Sequence, residues 1–585
     1  MRILAENKHN NIKRLEKICK YVVLVLWGGI ILYLTVLSFL GTSAEALRNT
    51  AAEGETSQYT PYIYYLPDNP WKHIFFLIIF ILICLGIKYV LCKREAKTNR
   101  TITDRTWLLG GMISLLLIGT FYVFCTQFRP ISDPAKLQLV ASEMQQGNFG
   151  QFMEGEYMQR YPFQSGFLLV VYYAMKLFGD TEFVVMQFFN VLAVAIACYC
   201  IYKSVQLIFH KNIRVGWLAL ISFIPMLLYT TFVYGNLLSF AAAMAAVYLE
   251  FSFFHSEKIS HAVLSAILIS LAIVLKSNSL IIFCAMLIYG LCKLVFKTNR
   301  IKVSLYLLML IVFYIIGNKA VESWTERIAG VQLSKGMPKI AWVAMGLQDG
   351  GKAPGYWTGS SVALYIENNY DYTKTSDAAM QVIENRLQYF SNDLENGVDF
   401  FGRKIAAQWN EPTFQAIRIS RGRLSERQIP GWINSMIEGR GSIYLSEMLN
   451  IFQAWVYFGA LLYVIIYFRK CSLDELIFAV IMMGGFIFHL FWEGKSQYVM
   501  LYFFCLIPYA VFGYQALVNL LWNFDYRNIS KKKIKSICVG VALAVIIAVP
   551  IGMHVKTMKI FQYTLGVRSS EELLTEYSEI QNKIK

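Results

Sequence analysis

The chain has 585 residues, 56% of them hydrophobic and only 16% charged, with a mean hydropathy of +0.46. A soluble domain carries about 25% charge, so an ordinary soluble protein is excluded. The net charge of +16 would point to nucleic acid in a soluble chain. Here the basic residues stand in short connections between apolar blocks, where they report membrane topology instead.

The blocks are long enough to cross a hydrocarbon core of about 30 Å as helices, and backbone in lipid must satisfy its own hydrogen bonds. Taken in chain order, they predict an all-α polytopic membrane protein of about thirteen transmembrane helices. The spans are 21–40, 71–92, 107–127, 182–206, 215–234, 237–254, 261–275, 279–297, 303–318, 449–468, 473–492, 498–522 and 535–553. The first follows a basic start and precedes Ala44-Glu45-Ala46, which resembles a signal-peptide cleavage site. Its apolar run is too long for a typical signal, so an uncleaved signal-anchor is expected. The eleven cysteines fall mostly in or beside spans, without zinc-like spacing, and read as packing residues.

With residues 1–20 in the cytoplasm, the segments that alternate to the inside hold 26 Lys/Arg. The short segments outside hold only Arg48, Lys72, Lys276 and Lys495, which supports this orientation. Two long segments then face outside, 128–181 and 318–448. In the first, Tyr161–Gly179 is apolar enough to pass for a span. Counting it as one would invert the downstream charge bias, so it is read as a helix on the outer surface. The second is expected to be a mixed, mainly helical domain, helical at Asp377–Phe390 and looped at Ala353–Gly359. The tail, 554–585, is also placed outside, with a short amphipathic helix at Ser569–Lys583.

Polar residues at the outer ends of spans carry the chemical signal, because such groups are costly without a role or partner. Asp133, in Phe128-Arg129-Pro130-Ile131-Ser132-Asp133-Pro134, is placed to take a proton from an acceptor hydroxyl. Its alternative is to cap the helix that follows. Arg160, with Tyr161 and Gln164, opens the surface helix and suits a phosphate; the alternative is an interfacial arginine. Tyr234-Gly235-Asn236 makes a very short connection. Lys276-Ser277-Asn278 splits an apolar stretch into helices of about 15 and 19 residues, which puts Lys276 in a recessed polar cavity. Glu493, Lys495 and Tyr498 share a tight turn in which Glu493 and Lys495 can pair with each other. The long loop adds Trp342, Tyr356, Trp357 and Trp409, which suit sugar faces or, equally, a small aromatic core. No Walker A sequence is present, so no ATPase is implied.

These motifs, in this order and on one side, resemble the GT-C class of integral-membrane glycosyltransferases. The nearest likeness is to the protein mannosyltransferase and lipid A aminoarabinose transferase group of cell-envelope enzymes. It covers residues 107–300 well and 340–520 more loosely. Asp133 matches the class's acid in the first outer loop. Arg160-Tyr161-Pro162 and Leu177-Phe178-Gly179 match its basic-Pro-Pro start and Leu-Phe-Gly end, with Arg for Lys and Tyr for the first Pro. Asn236 stands where a second acid often occurs, which puts a two-carboxylate scheme in doubt. Lys276 and Asn278 match a basic-x-Asn pattern.

The resemblance divides the chain into an added hairpin (1–106), a GT-C-like core (107–317), the outer loop domain (318–448), the last spans (449–553) and the tail. It implies inverting transfer of a sugar from a polyprenyl-phosphate donor to an extracytoplasmic glycan, lipid or protein. Asp133 would be catalytic, and Arg160, Lys276 and Lys495 would hold the donor phosphate. Tyr161, Gln164, Tyr234, Asn236, Asn278, Trp357, Glu493 and Tyr498 would contact sugar or acceptor. No cofactor is certain; a divalent metal is compatible with the scheme, but no clear acidic pair supports one. Two other readings stay open. One is a lipid or polysaccharide flippase or transporter. The other is a polymerase or ligase with a diphosphate-linked donor, which Arg418, Arg421, Arg423 and Arg427 keep alive.

Overall fold

The computed structural model describes residues 2–49, 59–95, 104–210, 214–296, 299–350, 353–421 and 423–523. The span expected at 535–553 and the tail helix lie outside these residues. Helix α1 (Arg2–Leu40) runs into a two-stranded antiparallel hairpin, β1 (Gly41–Asn49) and β2 (Tyr59–Pro67), registered Gly41 to Pro67. There follow α2 (Pro70–Glu95), α3 (Asp104–Thr126), α4 (Ser132–Gln145), the short α5 (Tyr157–Arg160), α6 (Ser165–Phe178) and α7 (Glu182–Phe209). Next come α8 (Arg214–Ile221), α9 (Ile224–Leu228), α10 (Asn236–Ser256), α11 (Ile259–Leu275), α12 (Leu280–Phe296) and α13 (Arg300–Ala329). The segment between α13 and α20 carries α14 (Ile340–Gly346), α15 (Ser360–Glu367), α16 (Tyr372–Asn392), α17 (Leu394–Trp409), α18 (Ala416–Ser420) and α19 (Gly431–Ile437). The last described helices are α20 (Arg440–Tyr467), α21 (Ile477–Phe491), α22 (Met500–Phe504) and α23 (Ile507–Trp522).

Among the described residues, ten helical stretches are long and apolar enough to cross a membrane, and Ile259–Leu275 is a shorter apolar helix. The protein is thus a multi-pass, all-α membrane protein, as its composition predicts. One expected span differs. Residues 215–234 do not form a single helix, because Pro225 has no N–H for the ladder and the chain leaves the helix at Ser222 and Phe223. Backbone freed in this way needs partners. Two amides of α7 supply them: Gln187 Nε2 donates to Thr231 O (3.3 Å), and Asn190 Nδ2 donates to Thr230 O (2.9 Å). Arg423 adds an Nη2 bond to Thr231 O (3.0 Å) and ties the segment to Arg129 O (2.8 Å).

The expected surface segment is the 3₁₀ turn Pro162–Gln164 followed by α6, and α6 packs against α4, α7 and α11. The helix foreseen around Asp377–Phe390 is α16, and Ala353–Gly359 is a loop. Helices α13 and α20 extend past the expected limits of the long loop, to Ala329 and from Arg440.

The hairpin was not foreseen. Its second strand holds four tyrosines and Ile63, residue types that suit a pleated, half-buried surface. Ile63 is buried against Ala353, Tyr356 and Ala407. Asn410 ties β1 to the end of α17: its O accepts from Ser43 N (2.9 Å), and its Nδ2 donates to Gly41 O (2.8 Å). The preceding helix is equally integrated, since Trp27 is fully buried with its ring 4.7 Å from that of Tyr509 on α23.

Candidate active site

One cavity of about 1040 Å³ gathers most of the polar residues that the sequence singles out. Asp133, Tyr161, Gln164, Tyr234, Lys276, Asn278, Trp357, Glu493, Lys495 and Tyr498 all line it, although they come from segments hundreds of residues apart.

Asp133 sits in the first turn of α4, which begins at Ser132 without a side-chain cap. Its carboxylate is engaged elsewhere: Oδ2 accepts from Tyr234 Oη at 2.8 Å. Gln164 Nε2 donates to the same Tyr234 oxygen (2.6 Å) and to Tyr157 Oη (3.2 Å). Burial, and then the Asp133 charge, hold the Tyr157 phenol well above its ordinary range. Asp133 is therefore an exposed carboxylate at the edge of a buried phenol–amide network, not a helix cap.

Lys276 occupies the non-helical break between α11 and α12, with extended φ/ψ (−156°, 115°). Its Nζ lies 3.3 Å from the centroid of the Tyr234 ring. Burial lowers its pKa to about 7, opposed by the charges of Asp133 and Glu493. The break is set by close backbone approach. Gly235 has φ +77°, and a Cβ there would stand 2.9 Å from Leu275 O; one on Gly166 would stand 2.0 Å from Val274 O. Only glycine lets the Tyr234 corner and the start of α6 close on the end of α11.

On the facing wall, Glu493 Oε1 is 2.6 Å from Lys495 Nζ, and Glu493 Oε2 accepts from Tyr498 Oη (3.2 Å). The pairing foreseen from sequence is present, and the pair still faces the cavity. Behind it, α17 and Glu411 just beyond it fasten the turn and the end of α21. Lys404 Nζ donates to Trp492 O (2.7 Å) and to Gly346 O, Gln408 Nε2 donates to His489 O (3.1 Å), and Ser496 Oγ donates to Glu411 Oε2 (2.8 Å). Burial lowers the Lys404 pKa to about 7, opposed by Glu493. The turn's Trp492 stacks on Trp342, with centroids 5.8 Å apart and planes at 8°, and both rings line the cavity.

Two expected residues stand apart. Arg160 does not line the cavity; its Nε turns back to Glu156 O (3.4 Å), and its carbonyl anchors Met337 N (3.1 Å). It ends α5 with its side chain folded back toward Glu156 and its guanidinium 5.7 Å from the Tyr161 ring, so it stands behind the cavity wall rather than in it. Asn236 lines a small adjoining cavity of about 30 Å³ with Lys276, Asn278 and Tyr498, and its Oδ1 is buried without a partner among the described residues. Trp409 is fully buried in the core, and its carbonyl accepts from Tyr457 Oη.

Other lining residues were not singled out as site residues. Glu45 reaches the cavity from β1, and Tyr157 lies beside Asp133. Tyr157 carries no local signal that separates it from other aromatics. Glu45 carries a misleading one, since Ala44-Glu45-Ala46 reads as a processing site. Arg418 and Arg421 also line the cavity, whereas Arg423 is spent on backbone carbonyls and Arg427 lies over Phe124.

The other end of the cavity is apolar. Leu280, Cys284 and Ile288 of α12 face Val480, Gly484 and Phe488 of α21, each set at i, i+4, i+8. Eight residues of helix make this trough about 12 Å long. Ile288 and Ile487, at its edge, are each about half exposed. Among the described residues, no group of three or more His, Cys, Asp or Glu is placed to hold a metal ion.

No curated protein matches the chain. Residues 166–317 match the family model described as dolichyl-phosphate-mannose-protein mannosyltransferase. The matched stretch holds Tyr234, Asn236, Lys276 and Asn278; Asp133 and Glu493 lie outside it. That family is of the GT-C type of membrane glycosyltransferases, the class that the chain's motifs resemble.

Proposed function

We propose that the chain transfers a sugar, with inversion, from a polyprenyl-phosphate donor to a glycan, lipid or protein acceptor outside the cytoplasm. The observation that carries this reading is the two-ended cavity, with Asp133 and Lys276 around Tyr234 at one end and the α12–α21 trough at the other. A lipid tail in the trough brings its phosphate to Lys276 and Lys495, and the sugar to the Tyr161, Trp342 and Trp357 side. Asp133 takes the proton from the acceptor hydroxyl. The acceptor oxygen bonds to the anomeric carbon as the carbon–oxygen bond to phosphate breaks, and the electron pair leaves with the phosphate. Lys276 meets the charge that builds there. The site faces outside with the N-terminus in the cytoplasm, in keeping with the basic connections on the other side. Residues 107–317 act as the catalytic core, with residues 318–448 closing over it.

The test is incubation of purified protein with a panel of polyprenyl-phosphate hexoses and pentoses, scoring release of polyprenyl phosphate. Release with one or more donors is expected; no release from any donor in the presence of envelope acceptors overturns the reading. A donor linked through diphosphate is the second reading, favoured by Arg418 and Arg421 in the cavity wall.

A further inference from the structure

The cavity wall nearest the hairpin holds a second cationic group. Arg418 on α18 pairs with Glu45 of β1, Nε to Oε1, at 2.9 Å. Glu45 is nearly fully buried and is satisfied by other donors as well: Tyr356 Oη reaches Oε1 (2.7 Å), and Gln415 Nε2 reaches Oε2. A carboxylate held this way anchors the guanidinium at Nε by charge, without a hydrogen bond there. Among the described residues, Glu45 is the one ion-pair partner of Arg418, which remains part-exposed on the cavity. Arg421, three residues on and so on the same face, also lines the cavity. It too is fixed from behind, Nε to Ile437 O (2.7 Å) and Nη2 to Ser442 Oγ (2.9 Å).

The charges do not balance. Five cations line the cavity (Lys276, Lys339, Arg418, Arg421 and Lys495) against three acids (Glu45, Asp133 and Glu493). Glu493 is committed to Lys495, and Glu45 to Arg418. Lys276 feels Asp133 and Glu493, whereas Arg418 feels Glu45, so the two groups answer to different acids. With Lys276 protonated, a sugar phosphodiester brings one negative charge to a cavity with two surplus cations. Planar, pre-oriented guanidiniums suit phosphate oxygens.

We propose that Arg418 and Arg421, with Glu45 as the positioning residue, form a second anion subsite that takes a phosphate group other than the one at Lys276. That phosphate belongs either to the acceptor or to a diphosphate-linked donor. The proposal rests on the reading above only in giving Lys276 the first phosphate.

The test uses the full chain in detergent and the fluorescence of the cavity tryptophans. The probes are glycerol phosphate, glycerol, farnesyl phosphate and farnesyl diphosphate. Glycerol phosphate, but not glycerol, is expected to bind protein already saturated with farnesyl phosphate. Arg418→Gln and Arg421→Gln should each weaken glycerol phosphate at least tenfold and farnesyl phosphate less than threefold, and Lys276→Ala should do the reverse. Glu45→Gln should weaken glycerol phosphate three- to tenfold, with the Arg418 charge intact. If Arg418→Gln abolishes a preference for farnesyl diphosphate over farnesyl phosphate, the second phosphate is the donor's; if the preference is absent or unchanged, it is the acceptor's. Displacement of glycerol phosphate by farnesyl phosphate, or unchanged glycerol phosphate binding in both arginine variants, overturns the subsite. Failure of farnesyl phosphate to bind while glycerol phosphate still does overturns the donor reading and leaves the subsite standing.

Discussion

Lys276 and Tyr234 meet face to face: the ammonium sits 3.3 Å above the centre of a phenol ring whose hydroxyl donates to Asp133. One tyrosine therefore carries both the cation assigned to the donor phosphate and the carboxylate assigned to the acceptor. A shift of that ring moves both together.

Replacing Asp133 with Asn keeps an acceptor oxygen for Tyr234 but removes the base. Turnover is expected to fall by about 10²–10⁴, with thermal stability little changed. Tyr234→Phe loses the hydroxyl and keeps the ring, so a smaller loss, about tenfold, is expected. Donor-release assays on both variants decide it; wild-type turnover in Asp133→Asn rules out its proton-accepting role.

The lowered pKa of Lys276 gives kcat/KM for donor a definite pH dependence. The ammonium is present below about pH 7 and is lost as pH rises through that value. Because kcat/KM reports the free enzyme, donor use should decline on the alkaline side of about 7, and Lys276→Arg should remove that limb. A limb that persists unchanged in Lys276→Arg belongs to another group.

Stability should change in the opposite sense. Folded Lys276 and Lys404 release their protons near pH 7, while unfolded lysines hold theirs to about 10.4. Between those values the unfolded chain binds more protons, so stability gains from both as pH rises, and below 7 the gain disappears. Melting temperatures of Lys404→Met should show a flatter rise than wild type between pH 7 and 10. An equal slope contradicts burial as the cause.

Gly235→Ala introduces strain at φ +77° and a Cβ 2.9 Å from a backbone oxygen that cannot swing aside. A loss of about 1–3 kcal/mol is expected. Differential scanning in detergent measures it, and donor affinity should drop with it because the same corner holds Lys276.

Arg160→Ala is expected to alter turnover less than threefold, since its side chain stands off the cavity. A loss of a hundredfold would restore it to the donor site.

Sequence alone made ten of the lining residues legible, and the reason is general: polar groups stranded at the ends of apolar spans have few places to go except a shared cavity. Lys276 is the plainest case, because the short α11 left it recessed. Arg160 failed because four residues of helix decide which way it points, and no periodicity shows that. Glu45 failed because its meaning depends on Tyr356, Gln415 and Arg418, more than 300 residues away. Lys404 carries no signal in the sequence; only the carbonyls of Gly346 and Trp492 reveal its role.

The Glu45 contacts also set the order of assembly. Glu45 and Gln415 are 370 residues apart, and at 5–20 residues per second their meeting waits roughly 20–70 s of synthesis. Throughout that interval the Glu45 carboxylate on β1 is without the partners that bury it in the folded chain. The second half of the chain is what covers it, through Tyr356, Gln415 and Arg418.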